Sequence, residues 1–179
     1  MSIIEPIKGN RLRLRIVDLT DAPYVHALRV NPVYNQYLSP ITGTAEDQRK
    51  WIEAYKSREA KGLEYYFVIE RLDDIPCGVV RLYDIGADDF TWGSWILDQN
   101  KPPKAALESA LLIYRLGFEI LGLKKSVFDV CYDNKNTIAF HRRFGATEIG
   151  QDGMNMHFEL PYEKYLNGRD LQWSAIQGS

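Results

Sequence analysis

The chain has 179 residues, with 22 Lys and Arg against 24 Asp and Glu, a formal net charge of −2, and 45% apolar and 26% charged residues. That length suits one hydrophobic core, and the balance excludes a disordered or fibrous chain. A charge this near zero leaves no basic footprint for nucleic acid or anionic lipid. No run approaches the roughly 18 apolar residues that span a bilayer, so no membrane partner is expected. The opening segment, Met1 to Gly9, is too short and too polar for a signal peptide. Cys77 and Cys131 stand apart, without a CxxC pair, and read as two buried thiols in a reducing compartment. These features describe one cytoplasmic enzyme or binding domain over residues 1–179.

In chain order, Leu12-Arg13-Leu14-Arg15-Ile16 alternates apolar and basic, the period of a half-buried strand. Leu19-Thr20-Asp21 followed by Ala22-Pro23 starts a helix that must stop before Asn31-Pro32, because a residue preceding proline avoids the helical region. Thr44 caps a second helix through Trp51, Ile52 and Tyr55 to about Arg58, closed by Lys61-Gly62. Three strands joined by turns follow: 65–70, 77–83 and 90–97. The polar loop from Asp98 to Lys104 carries Pro102-Pro103 and leads into a helix whose stripe is Leu107, Ala110, Leu111, Tyr114 and Phe118. A strand at 126–131, a helix from Asn134 to Phe144 stopped by Gly145, and strands at 147–149 and 156–160 complete the order β α α β β β α β α β β. This is an α+β layout and not a doubly wound sheet, because the consecutive strands of 65–97 are joined by turns without crossover helices.

Where the strand ending at Ile96-Leu97 gives way to the helix beginning near Ala105, the first helical N–H groups have no partners and favour an anion. Lys101 and Lys104 add two positive charges, so the mouth reads either as a pyrophosphate site or as a solvated loop.

The element order and two segments, Trp92 to Leu97 followed by Ala105 to Leu111, and Asn134-Lys135-Asn136-Thr137-Ile138-Ala139-Phe140-His141-Arg142-Arg143-Phe144-Gly145-Ala146, resemble the GNAT superfamily of acyl-CoA-dependent N-acyltransferases. The resemblance covers about residues 11–160 and leaves 161–179 as a tail. It implies a mixed, mainly antiparallel central sheet with helices on both faces. It also implies acetyl-CoA as acyl donor, bound by Ile96, Leu97, Lys101, Lys104, Ala105, Ala106 and Asn134. The family's phosphate loop carries glycines, and of the aligned positions Lys101, Lys104 and Ala106 only the last fits; Lys104 stands where a glycine is usual. His141 replaces the family's tyrosine acid. A protonated imidazole there would deliver a proton to the leaving thiolate, and the other reading is that it packs on its helix. Asn134 is equally fit to reach the cofactor arm or to cap its helix. Thr91 stands where many relatives have a glutamate base, leaving Asp84, Asp89 and His26 as candidates, or a water relay.

The acceptor side falls to the first two helices and their polar, aromatic linker, with Arg29, Tyr34 and Tyr37, together with Tyr83, as substrate-binding candidates. A small-molecule amine is expected. The branch that acetylates nucleotide-linked amino sugars comes first and the Rim-type protein N-terminal acetyltransferases second, with a non-catalytic GNAT-like binding module as the other class. His26, His141 and His157 lack ligand spacing, so no metal is expected. The tail, with Tyr162, Tyr165, Leu166, Leu171 and Trp173, is apolar enough to dock on the domain or to make a homodimer.

Overall fold

The structure, a computed structural model, describes residues 4–177; the first three residues of the opening segment and the last two of the tail lie outside the described residues. The chain runs β1 (Ile7–Lys8), β2 (Leu12–Ile16), α1 (Ala22–Val30), α2 (Ala45–Ala60), β3 (Tyr65–Arg71), β4 (Pro76–Tyr83), β5 (Asp89–Leu97), α3 (Ala105–Tyr114), β6 (Lys125–Cys131), α4 (Lys135–Phe144), β7 (Thr147–Gln151), β8 (Asn155–Pro161) and α5 (Tyr162–Gln177). Every element expected from the sequence is present. The short β1 and the long α5 were not expected, and neither was the π-helical extension of α3 over Arg115–Ile120.

The helix ends follow their local chemistry. The Thr44 hydroxyl accepts from the Asp47 N–H at 3.3 Å while the Asp47 carboxylate accepts from the Thr44 N–H at 2.8 Å, two reciprocal bonds that satisfy otherwise orphaned donors. α2 ends at Lys61, and Gly62 takes the left-handed conformation at φ +70°. α1 stops at Asn31, which is extended ahead of Pro32.

The eight strands form one sheet in the order β1-β2-β3-β4-β5-β6-β8-β7, antiparallel throughout except for β5 against β6. One face carries α1 and α2, whose Val25, Leu28, Ile52 and Tyr55 pack on Tyr66, Val68, Val79 and Ile96. The opposite face carries α3, α4 and α5, with Leu111, Tyr114, Ile138, Phe144 and Tyr165 packed on Phe67, Val80, Trp92 and Phe158. Six consecutive residues of β3 are buried because both of its faces are covered, so its sequence shows no alternation. This is the α+β, mainly antiparallel sheet with helices on both faces.

Two long-range ties fix the helices that matter below. The buried Glu108 carboxylate of α3 accepts from the Arg11 N–H at 2.9 Å and the Leu12 N–H at 2.7 Å, anchoring the first turns of α3 to the start of β2. The tail docks on its own domain: Tyr165 and Ile176 are buried, and Glu119 accepts from the Tyr165 hydroxyl at 2.5 Å and pairs with Arg169 at 3.1 Å. No described helix is long and apolar enough to cross a membrane.

Candidate functional site

β5 and β6 pair only at Asp89↔Lys125 and Phe90↔Ser126, and beyond these residues the two strands part. β5 also carries a bulge on its β4 side. Val79 of β4 faces Ile96 and Arg81 faces Gly93, so β5 holds one extra residue, and Ser94 sits in the left-handed region at φ +49°. The bulge resets the alternation of the strand. Trp92 and Trp95, three apart, would point to opposite sides of a regular strand, yet both rings pack toward α3 and α4 with centroids 5.0 Å apart. Ile96 meanwhile faces α1 and α2. Nothing in the sequence reading foresaw this, although two tryptophans three apart in one strand were the available signal.

The parting leaves a cavity of about 110 Å³ bounded by Gly93, Ser94 and Trp95 on one side and Phe128 to Cys131 on the other, with Asn134, Thr137 and His141 from the α4 end and Tyr37 and Leu38 above. It opens through the sheet, since Phe128 faces the α3 side while Asp129 lies on the opposite one. A groove continues past Trp95, Leu97, Ala106, Phe140 and Arg143 and on to Lys104 and Gln172. The groove is lined by a mixture of apolar and polar side chains and ends beside the cations Lys104 and Arg143.

His141 lies at the foot of the cleft, 4% exposed, with the Phe128 ring centroid 4.3 Å away and Trp92, Phe140 and Phe158 within 5.7 Å. Its Nδ1 is buried with no hydrogen-bond partner among the described residues. Desolvation pushes its pKa down to about 3, so the ring is neutral at pH 7. A protonated imidazolium, the state that the acid reading of His141 requires, is not what these surroundings favour.

The lysines at the helix mouth diverge. Lys104 caps α3 in the left-handed conformation at φ +64°, which explains why glycine is usual there, and its ammonium donates to the Ala175 carbonyl of α5 at 3.0 Å. Lys101 faces away from the groove, toward Asn10, Arg11 and Arg71. The Ala105 N–H is already taken by the Pro102 carbonyl at 3.3 Å, which leaves Ala106 at the groove wall. Arg143, missed in the sequence, lines both halves of the groove. The signal was its place one turn beyond Phe140 on the same face of α4. Asn134 caps α4 by accepting from the Thr137 N–H at 3.4 Å, the helix-cap reading, and it also borders the cleft. Cys77 is buried with its thiol pushed up to about 12, but Cys131 is only half-buried and lines the cleft, against the expectation of two buried thiols.

On the α1/α2 face, a second cavity of about 340 Å³ is lined by His26, Arg29, Thr44, Gln48, Trp51 and Arg81. The Arg29 guanidinium donates to the Ser39 carbonyl at 3.0 Å. Arg81 pairs with the buried Glu64 at 2.8 Å and stacks 4.3 Å over the Tyr83 ring, whose hydroxyl approaches Gly93 at the cleft rim. Tyr37 reaches the cleft itself, while Tyr34 donates to Gln99 at 2.9 Å and lines neither cavity. Of the three candidate bases, His26 lines the second cavity, and Asp84 and Asp89 do not border the cleft.

Residues 11–147 match the acetyltransferase (GNAT) domain. Among solved structures the chain is similar to apo FdhC, a nucleotide-linked sugar GNAT, with 42% identity over 96% of this chain and 98% of that one and a TM-score of 0.88. It is similar in fold to spermidine N-acetyltransferase from Vibrio cholerae in complex with CoA and spermine, at 22% identity over 88% and 99% of the two chains, TM-score 0.75. The ribosomal-protein-S5-alanine acetyltransferase from Vibrio fischeri shares the fold at 11% identity over 90% and 99%, TM-score 0.77. No curated protein sequence matches the chain. With a parted sheet, a groove leading to a helix mouth and a domain match over most of its length, the chain belongs to the GNAT family and is an acyl-CoA-dependent N-acyltransferase.

Proposed function

We propose that the protein transfers an acetyl group from acetyl-CoA to the primary amine of a nucleotide-linked amino sugar, by direct attack without a covalent enzyme intermediate. The observation that carries the acceptor is the 42% identity to a nucleotide-linked sugar GNAT over nearly the whole of both chains. The other two relatives named above, under 25% identical, speak for the fold alone. A reducing, cytoplasmic setting accords with two free cysteines, one of them at the cleft.

Acetyl-CoA supplies an activated thioester. The unpaired edge of β5 at Ile96 and Leu97 offers backbone groups to its arm, as an added strand would find. Ala106 on the first turn of α3, with Lys104 and Arg143, faces the diphosphate end, and Lys101 contributes at longer range. His141, neutral, serves as an N–H donor to the reacting centre and brings no net charge into an aromatic pocket. On the other face, Arg29 offers a cation and Tyr37 and Tyr83 offer hydroxyls to the sugar and nucleotide, and Arg81 holds the Tyr83 ring in place.

The test is free-thiol release from acetyl-CoA with a nucleotide-linked amino-deoxysugar, a free amino sugar, spermidine and an N-terminal ribosomal peptide, preceded by calorimetric titration with acetyl-CoA. Saturable donor binding and release with the nucleotide-linked sugar are expected. Release with the peptide alone would establish the Rim-type reading. A folded protein that binds no acetyl-CoA would be a non-catalytic module.

A further inference from the structure

An acyltransferase must remove a proton from its acceptor, because a primary amine arrives as an ammonium ion and only its free lone pair attacks a thioester. Thr91 supplies no carboxylate, and Asp84 and Asp89 stand off the cleft. The cleft does hold one carboxylate, Asp129 of β6, opposite Gly93 and Ser94. Asp129 is paired in register with His157 of β8, and its carboxylate meets the His157 Nδ1 at 2.5 Å. The other ring nitrogen, Nε2, lies 3.3 Å from the Asp152 carboxylate in the turn between β7 and β8. Asp152 is itself fixed by the N–H groups of Met154 and Asn155, at 2.7 and 2.8 Å. A carboxylate at the mouth of the cleft, an imidazole behind it and a second carboxylate behind that make a hydrogen-bonded file whose ring is half-buried and whose two carboxylates are exposed.

We propose that Asp129 is the general base for the acceptor amine and that His157, positioned by Asp152, passes the proton to water. The inference rests on the acyl-transfer reading but not on which amine is used.

The step balances as follows. One ammonium N–H bond breaks and leaves its electron pair on nitrogen; the proton moves to Asp129 and along the 2.5 Å bond to His157 Nδ1. The nitrogen pair forms the C–N bond to the acyl carbon, and the C–S bond breaks with its pair on sulfur. The sulfur takes the second proton shed by nitrogen, and the third stays on the amide. Asp152 steadies the imidazolium at Nε2 until the half-buried ring gives its proton to water.

Placement supports this assignment. The burial alternation of β6 sets Asp129 on the face opposite Phe128 and His141, the face that also carries Arg81 and Tyr83. The groove with Ala106 and Arg143 lies on the other side. Donor and acceptor therefore approach the opening from opposite faces, with the base on the acceptor's side. The charged and titratable groups facing the pair are Asp152 from the β7–β8 turn and, beyond Asp129, Tyr83 and Asp84 at the end of β4 with Arg81. The hydrogen bond to Asp129, together with the charges of Asp129 and Asp152, holds His157 above its ordinary pKa. The ring must be neutral to receive a proton, so turnover rises with pH through that raised value.

The experiment measures thiol release against pH for Asp129→Asn, His157→Gln and Asp152→Asn, alongside acetyl-CoA affinity. All three positions are exposed or half-buried, so the variants are expected to fold, which urea unfolding checks. Asp129→Asn is expected to lose on the order of 100-fold in kcat near neutrality, with acetyl-CoA affinity unchanged, and to recover at pH values where the amine is free in solution. His157→Gln should abolish the acidic limb of the profile, and Asp152→Asn should move it to lower pH. Undiminished kcat in Asp129→Asn, or a profile that none of the three variants moves, would overturn the proposal while leaving acyl transfer standing. No release from the wild type with any amine would remove the transfer reading and the base together.

Discussion

Gly78→Ala tests whether the groove depends on where the end of β5 is held. Gly78 lies opposite Leu97, and a Cβ built on it would overlap the Ile96 carbonyl oxygen while meeting Ile96 C and Leu97 Cα at 3.2 Å. The offending atom is backbone, so no side-chain rotation relieves it. The end of β5 must retreat by on the order of 1 Å to restore van der Waals distance. Overpacking of this kind costs about 1–3 kcal/mol, which a chain with a core on both faces of its sheet survives. The functional cost is larger, because Ile96 and Leu97 form the edge along which the donor arm is proposed to bond. A misplacement of about 1 Å at a reacting centre costs about 100-fold in rate. Urea unfolding gives the first quantity; thiol release and calorimetry with acetyl-CoA give the second. Gly168→Ala, on α5 away from the cleft, whose Cβ meets only the Gln172 side chain at 3.7 Å or more, is the control. A Gly78→Ala protein with wild-type turnover and donor affinity would show that the end of β5 does not set the site.

The remaining expectations are briefer. Because His141 is neutral and buried in the fold, with a pKa near 3 against about 6.5 unfolded, stability is fully present above pH 6.5 and is lost as pH falls toward 3. Between pH 7.5 and 5 this amounts to about 2 kcal/mol. His141→Phe should lack that component in parallel urea titrations, and should lower turnover more than acetyl-CoA affinity; equal pH dependence in the two proteins would contradict the buried neutral ring. Charge reversal at Lys101 and Lys104 together should weaken acetyl-CoA binding, and Arg143→Glu alone should weaken it more than Lys101→Glu alone, since only Arg143 lines the groove. Equal effects would move the diphosphate away from α4. Glu108→Gln exchanges charge-assisted bonds to the Arg11 and Leu12 N–H groups for weaker ones and should cost about 2 kcal/mol in urea unfolding. A change below about 0.5 kcal/mol would mean that the anchor between α3 and β2 is redundant.

The elements with strong local punctuation were legible in the sequence: Thr44 with Asp47, Lys61-Gly62, Asn31-Pro32 and Asn134 with Gly145 each end a helix by backbone chemistry that needs no partner. α5 was not. Tyr162 to Gln177 has no clean apolar face, and it is held by scattered contacts such as Tyr165 with Glu119 and the Lys104 ammonium with the Ala175 carbonyl. The two-residue β1 carries too few positions for any period. At the proposed site, the family likeness pointed to the β5–α3 mouth, but the directions of its side chains depend on packing that spacing does not encode. Lys101 and Lys104 are three apart and face different cavities, and a serine in the left-handed region announces no bulge. His157 was discounted for want of ligand spacing, a rule for metals that is blind to a partner 28 residues away across a strand pair.

Two histidines now stand on opposite sides of one opening with opposite electrostatics. His141 is enclosed by aromatic rings and driven toward the neutral form by desolvation; His157 is half-buried between two exposed carboxylates, Asp129 and Asp152, and is drawn by them toward the charged form. Groups of one type whose surroundings push their pKa values apart mark a division of acid–base labour. In the proposed reaction the division has a physical reason. The proton leaving the acceptor has to reach water, so its path belongs on the wet face, between carboxylates that stabilise its passage. The thioester has to be kept from water, so the side chain beside it is best uncharged, because a cation there would bring its hydration with it. The parting of β5 from β6 beyond Phe90 and Ser126 makes both conditions compatible, since it opens the sheet between its two faces there while β5 stays paired with β4 on its other side.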